Sequence, residues 1–181
     1  MELITQDVKK MIKLLKIVII ILVISPKVLM SADMSGYLLS KAIKEFNNKN
    51  YESAYKSLTN IAPTGNPVAN YLLGQMYLQG LGIDPNYKIA YDKILYSSQK
   101  LFKHDKSLAI ESQITLSNMY ANGIGTDIDE SKAYMWSFIA YKTSENIHLT
   151  YLESLQTSIA PEDISNMEKQ GLKLFKKIIK D

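Results

Sequence analysis

The chain has 181 residues, 46% hydrophobic and 22% charged, with no cysteine and a formal charge of +3. That length supports one buried core, and the composition excludes a disordered chain, a collagen and a multi-pass membrane protein. All 21 basic side chains are lysine, so bidentate arginine clamps on phosphate, carboxylate or guanine are absent. The missing cysteines exclude disulfide bracing and thiolate metal sites.

Lys9, Lys10, Lys13 and Lys16 lead into the apolar run Ile17-Val18-Ile19-Ile20-Ile21-Leu22-Val23-Ile24. Ser25-Pro26 interrupts that run, and Ser31-Ala32 supplies small residues beyond it. Basic stretch, apolar run and small-residue exit are the layout of a secretory signal peptide. Residues 1–32 are therefore expected to be a targeting signal, better proportioned if its true start is Met11. An uncleaved anchor and a buried helix are the alternatives, since Leu29 and Met30 are bulky where cleavage favours small residues. Cleavage after Ala32 removes five of the 21 lysines and two of the 18 acids, which leaves residues 33–181 neutral. The basicity thus belongs to the signal and implies no nucleic acid partner.

The remainder repeats itself. At an offset of 43, Leu73, Met76, Tyr77, Gly80, Gly82, Asp84, Ala90 and Tyr91 recur as Leu116, Met119, Tyr120, Gly123, Gly125, Asp127, Ala133 and Tyr134. A second echo lies at an offset of 36, where Asn50-Tyr51 and Ala54-Tyr55 match Asn86-Tyr87 and Ala90-Tyr91. The difference of seven residues, two helical turns, falls in the lysine-rich stretch 99–106.

Each copy reads as a helical hairpin. Asn66 caps a helix with Pro67 in its first turn, and Ala69, Leu72, Leu73, Met76 and Tyr77 follow at helical spacing. Gly80 ends that helix in a left-handed conformation. Asp84-Pro85 is expected to restart the chain, with Ala90, Tyr91, Ile94 and Leu95 on the second helix. In the later copy Gly123 and Gly125 make the break, Asp127 the restart, and Ala133, Tyr134, Trp136, Phe138, Ile139 and Ala140 mark the second helix. Small residues at Gly74, Ser117, Ala90 and Ala133 let neighbouring helices approach closely.

The string Leu73-Gly74-Gln75-Met76-Tyr77, followed by Gly80, Gly82 and Ile83, resembles the signature of Sel1-like repeats, relatives of the tetratricopeptide repeat. Leu116-Ser117-Asn118-Met119-Tyr120 with Gly123, Gly125 and Lys132-Ala133-Tyr134-Met135-Trp136 resembles it too. Ala42 with Asn50-Tyr51-Glu52-Ser53-Ala54 is similar to an opening half-repeat, and Ala160-Pro161-Glu162-Asp163-Ile164 to a closing helix. The resemblance implies an all-α fold, an α/α superhelical solenoid. Its parts are an opening hairpin 36–62, a repeat 66–100, the insertion 99–106, a repeat 110–146 and C-terminal capping helices 149–180. Departures are Ser117 for the usual glycine, Lys93 for the usual aromatic, and the insertion, which forms either loop or longer helix.

No residue set proposes catalysis. Gly80-x-Gly82 and Gly123-x-Gly125 follow a helix and lack a third glycine, so they read as turns rather than phosphate loops. Asp127-Ile128-Asp129-Glu130 lacks the later acids of a calcium loop and reads as acids at a helix start. His104 and His148 are the two histidines; Glu145 beside His148 is too sparse a pair for a metal or acid–base site. No serine sits in a nucleophile elbow. The expectation is a non-enzyme with no cofactor and no metal. Trp136, with Phe138 and Tyr141, is expected inside the stack rather than on a binding platform.

The family resemblance implies a protein-interaction adaptor or scaffold, with the first helix of each pair lining a concave groove for a peptide or helix. By position the groove residues are Tyr71, Gln75, Leu78, Gln79, Ile114, Asn118, Ala121 and Asn122, expected to be exposed and almost uncharged. The partner is an unidentified protein. In a bacterial setting the place is the periplasm, the envelope or the exterior. Other readings are a secreted factor that engages a host protein and, from a different class, an envelope enzyme acting on cell-wall or lactam substrates. A third is a membrane-docked structural protein. That last one rests on the C-terminal helix, whose Lys169, Lys173, Lys176, Lys177 and Lys180 oppose Ile164, Met167, Leu174, Phe175 and Ile178. A solenoid cap with the apolar face inward is the competing reading.

Overall fold

A computed structural model describes residues 10–11, 13–14, 34–145, 149–157 and 159–181. The targeting signal read over 1–32 lies, apart from four residues, outside the described residues, and so does His148. The chain divides into two compact units, 1–41 and 42–181, and the repeats lie in the second. Every regular element among the described residues is helical: α1 (34–47), α2 (Tyr51–Ile61), α3 (Pro67–Gln79), α4 (Tyr87–Lys100), α5 (Lys106–Asn122), α6 (Glu130–Thr143), α7 (Leu149–Gln156) and α8 (Pro161–Ile178).

Side-chain caps start four of these helices. Asn66, Asn86, Asp105 and Asp129 sit in extended backbone and accept the backbone N–H groups of Ala69, Ile89, Leu108 and Lys132 at 2.9, 3.0, 2.9 and 2.8 Å. Each cap stabilises by about 1 kcal/mol. The second helices therefore begin two residues later than expected, at caps Asn86 and Asp129 rather than at Asp84 and Asp127. The reason lies in the connecting turn. The N–H of Asn86 donates to the Tyr77 carbonyl and that of Asp129 to the Tyr120 carbonyl, both at 2.9 Å. These bonds tie the turn back to the first helix and leave Asp84 and Asp127 exposed within it.

The seven-residue insertion resolves into helix. α2 and α4 have 11 and 14 residues, and α3 and α5 have 13 and 17. Three extra residues lengthen the end of α4 and four the start of α5, while residues 62–66 and 101–105 connect the two pairs over equal lengths. The hairpin junction thus moves outward by about one helical turn and the stacking register is kept. Leu101, fully buried, anchors the displaced junction.

The core runs between the stacked hairpins. Ala54, Leu58, Leu73, Met76, Ala90, Ile94, Leu116, Met119, Ala133, Trp136 and Ile139 are buried. Gly74 lets α3 approach α4: a Cβ there would lie 2.7 Å from Ile94 Cδ1. Ser117, its counterpart in α5, donates its hydroxyl to the Ala133 carbonyl of α6 at 2.6 Å. The serine thereby replaces a close packing contact with a buried hydrogen bond.

Two turn glycines hold one hairpin against the previous one. Gly82 has φ +71°, and a Cβ there would lie 2.6 Å from Tyr51 Cβ at the start of α2. Gly125 has φ +71°, and its Cβ would lie 2.0 Å from the Tyr87 carbonyl oxygen at the start of α4. The two contacts are equivalent under the 36- and 43-residue offsets, so the repeat in the sequence is a repeat in the packing.

Candidate partner-binding face

Tyrosine pairs set the spacing between consecutive hairpins. Tyr55 of α2 and Tyr77 of α3 share a hydroxyl–hydroxyl hydrogen bond of 2.8 Å with rings edge to face at 6.0 Å. Tyr91 of α4 and Tyr120 of α5 repeat the arrangement at 2.6 and 5.7 Å. The shared bond, then burial, pushes the Tyr77 phenol up to about 12; burial, then Tyr91, pushes Tyr120 up too. Tyr134 of α6 occupies the third position of this series, but its hydroxyl donates to Glu168 and accepts from Gln156, both at 3.0 Å. The tyrosine series ends there, on groups from α7 and α8.

The residues of α3 and α5 expected in the groove divide into three kinds. Gln79, Asn118 and Asn122 are exposed, and Gln75, Leu78, Ile114 and Ala121 are half-buried. Tyr71 is not an exposed groove residue: it is buried, and its hydroxyl donates to Glu111 Oε2 on α5 at 2.9 Å. Burial and the adjacent carboxylate hold its phenol well above the ordinary value. Tyr71 therefore ties the two first helices together rather than facing a partner. Its bond also brings Glu111, one helical turn before Ile114 and exposed, onto a face expected to be almost uncharged.

The amides of this face are already arranged. Gln79 donates to Gln75 Oε1 at 2.7 Å, and Asn122 donates to the Asn118 carbonyl at 2.9 Å. Asn118 Oδ1 accepts the Tyr151 hydroxyl of α7 at 2.5 Å, so α7 borders the face beside α5. Sequence reading missed Glu111 and Tyr151. Glu111 carries a usable signal, because it lies at helical spacing from Ile114 and Asn118. Tyr151 carries none, since its role depends on the tertiary position of α7.

The C-terminal helices pack with their apolar side inward. Leu152, Leu155, Ile159, Ile164 and Met167 gather on Tyr134, Phe138 and Tyr141. Gly171 lets α8 approach α6, its missing Cβ only 2.9 Å from Phe138 Cδ1. Phe175 meets Phe102 edge to face at 6.2 Å, and Ile178 is buried. Lys169, Lys173, Lys176, Lys177 and Lys180 remain exposed. The apolar side that a membrane-lying helix needs is thus engaged within the solenoid. Trp136 is 2% exposed, inside the stack.

Among the described residues no three His, Cys, Asp or Glu side chains converge as a metal site would need. Also among them, no helix is long and apolar enough to cross a membrane.

Residues 67–92 and 110–142 match the Sel1 repeat family, the first spanning α3 and the start of α4, the second most of α5 and α6. The fold is similar to that of c5321, a protective antigen present in uropathogenic Escherichia coli strains displaying an SLR fold. The TM-score is 0.70 at 16% identity, over 80% of this chain and 30% of that one. The chain thus spans under a third of that antigen's length, and the likeness is one of fold. A Sel1 repeat protein from Oxalobacter formigenes aligns with a TM-score of 0.32 at 17% identity, over 77% of this chain and 84% of that one. No curated protein matches the sequence.

Proposed function

We propose that this chain, a Sel1-like repeat protein, is an exported adaptor that holds a peptide or helix of a partner protein along α3 and α5. Arrays of this kind are protein-interaction scaffolds: paired helices repeated at constant pitch present one extended face to a ligand. The observation that carries the reading is the joined face of α3 and α5. Exposed Gln79, Asn118 and Asn122 and half-buried Gln75, Leu78 and Ile114 lie on two helices locked together by the Tyr71–Glu111 bond. Amides beside partly covered apolar side chains suit a backbone-reading contact with an apolar anchor. Export is supported by the lysine-led apolar run and small-residue exit within residues 1–32.

Site-specific photo-crosslinking in the producing cell tests this. A photoreactive residue at Gln79 or Asn122 is expected to yield the same discrete adduct, and one at exposed Lys88 of α4 to yield none. Adducts of equal pattern from all three positions, or none from any, contradict the reading.

A further inference from the structure

Lys93 stands where the repeat family carries an aromatic residue, and the structure offers its own control, because the equivalent position in the next copy is Trp136. The surroundings of the two correspond. In the first copy Asn70 donates from Nδ2 to the Ala62 carbonyl at 3.1 Å; in the second Gln113 donates from Nε2 to the Ser98 carbonyl at 3.3 Å. Asn70 maps to Gln113 by the offset of 43 and Ala62 to Ser98 by that of 36. The Trp136 indole is buried. At Lys93 a cleft of about 340 Å³ is open instead, lined by Thr59, Ala62, Pro63, Asn70, Leu73 and Tyr77 together with the lysine.

The ammonium in that cleft has a neutral partner and no carboxylate beside it. Lys93 is half-buried and donates to Asn70 Oδ1 at 3.2 Å, a neutral acceptor that takes one of its three N–H groups. Asp92 is its sequence neighbour, but that carboxylate accepts from Lys88 at 3.4 Å on the outer side of α4. Among the described residues no carboxylate pairs with Lys93. Burial accordingly pulls its ammonium below the ordinary lysine value, and Asp92 offsets this only in part. Tyr77, hydrogen-bonded to Tyr55, is the other titratable group lining the cleft, and its raised phenol is neutral at neutral pH. A cation partly stripped of water, beside apolar walls and fixed by one neutral amide, is a receptor for one carboxylate.

We infer that the Lys93 cleft takes a single Asp or Glu side chain of a partner polypeptide, as an anion site that the second repeat has closed with Trp136. A cleft of about 340 Å³ has room for an Asp or Glu side chain. Asn70, Leu73 and Tyr77 lie on the side of α3 turned away from Gln75, Leu78 and Gln79, so the site is separate from the α3–α5 face and does not rest on that reading.

The test uses the full chain with lysine 13Cε labels and two blocked peptides, Ala-Ala-Leu-Glu-Ala-Ala and its twin with Gln in place of Glu. The Lys93 resonance is assigned from its loss in Lys93→Met. The Glu peptide is expected to shift that resonance saturably, to raise its titration midpoint, and to bind about tenfold more tightly than the Gln peptide, as one charge-assisted hydrogen bond allows. Lys93→Met and Lys93→Trp are expected to abolish the preference while keeping the helical circular dichroism of the parent. Equal responses to the two peptides, no response at millimolar peptide, or a Glu preference that survives in Lys93→Met would overturn the assignment.

Discussion

The turn glycine at 125 gives the sharpest test of how the hairpins stack. Gly123 and Gly125 share a turn and a left-handed conformation, at φ +65° and +71°. An alanine at either position incurs the left-handed cost of about 1–2 kcal/mol. The surroundings then separate them. A Cβ at 123 meets the side-chain atom Ile128 Cγ1 at 3.0 Å, which a rotation of Ile128 relieves. A Cβ at 125 meets the Tyr87 carbonyl oxygen at 2.0 Å and the Tyr87 carbonyl carbon at 2.6 Å, both backbone atoms at the start of α4. Ordinary contact begins near 3.4 Å, so the turn and α4 must part by more than an ångström in an interior packed at crystal density. Overpacking of this kind adds about 1–3 kcal/mol. Gly123→Ala is therefore expected to lose about 1–2 kcal/mol and Gly125→Ala about 2–5 kcal/mol, against a total of about 5–15 kcal/mol for a domain. Urea unfolding followed by far-ultraviolet circular dichroism reads both. If Gly125→Ala costs no more than Gly123→Ala, the turn does not abut α4 and the stacking described here is wrong.

Other consequences follow from single contacts. Ser117→Ala removes the buried hydroxyl that donates to the Ala133 carbonyl and is expected to cost about 1 kcal/mol in the same unfolding assay. The raised Tyr77 phenol contributes stability that is complete below its ordinary value of 10.0 and is lost as pH rises through about 12. Tyr55→Phe removes the largest cause of that shift, so spectrophotometric titration is expected to show the Tyr77 midpoint falling toward 10.0. Truncation after Gln170 removes Phe175 and Ile178 from their contacts with the solenoid; it is expected to lower the melting temperature and to expose surface that binds a hydrophobic dye. Lys93→Trp copies the second repeat into the first and is expected to raise the melting temperature, since it fills the cleft and removes a partly desolvated charge.

Much of this architecture is legible in the residues. Asn66 before Pro67, and Gly80 with its echo Gly123, mark helix ends by local chemistry, which needs no tertiary information. The residues alone do not place the start of the second helices, because Asp84 and Asp127 are as good capping residues as Asn86 and Asp129. What decides is the hydrogen bond from the latter pair back to the preceding helix, a property of the turn's shape. The length difference between offsets showed an insertion of two turns, but its division into three and four residues depends on the junction at Leu101. The face was legible as a helical stripe and wrong at Tyr71, where a stripe cannot say that the phenol reaches a carboxylate on another helix. Lys93 stood out as a departure from the family pattern; that it lines an open cleft is information only packing provides.

The most direct test of the adaptor reading is the affinity of the crosslinked partner segment, once identified, for purified chains altered on the face and off it. Leu78→Asp and Ile114→Asp place a charge among the half-buried side chains of α3 and α5 and are expected to weaken binding at least about tenfold. Lys88→Asp, at an exposed position of α4, is expected to leave it unchanged. Binding that is indifferent to residues 78 and 114, or that Lys88→Asp abolishes, would contradict the account.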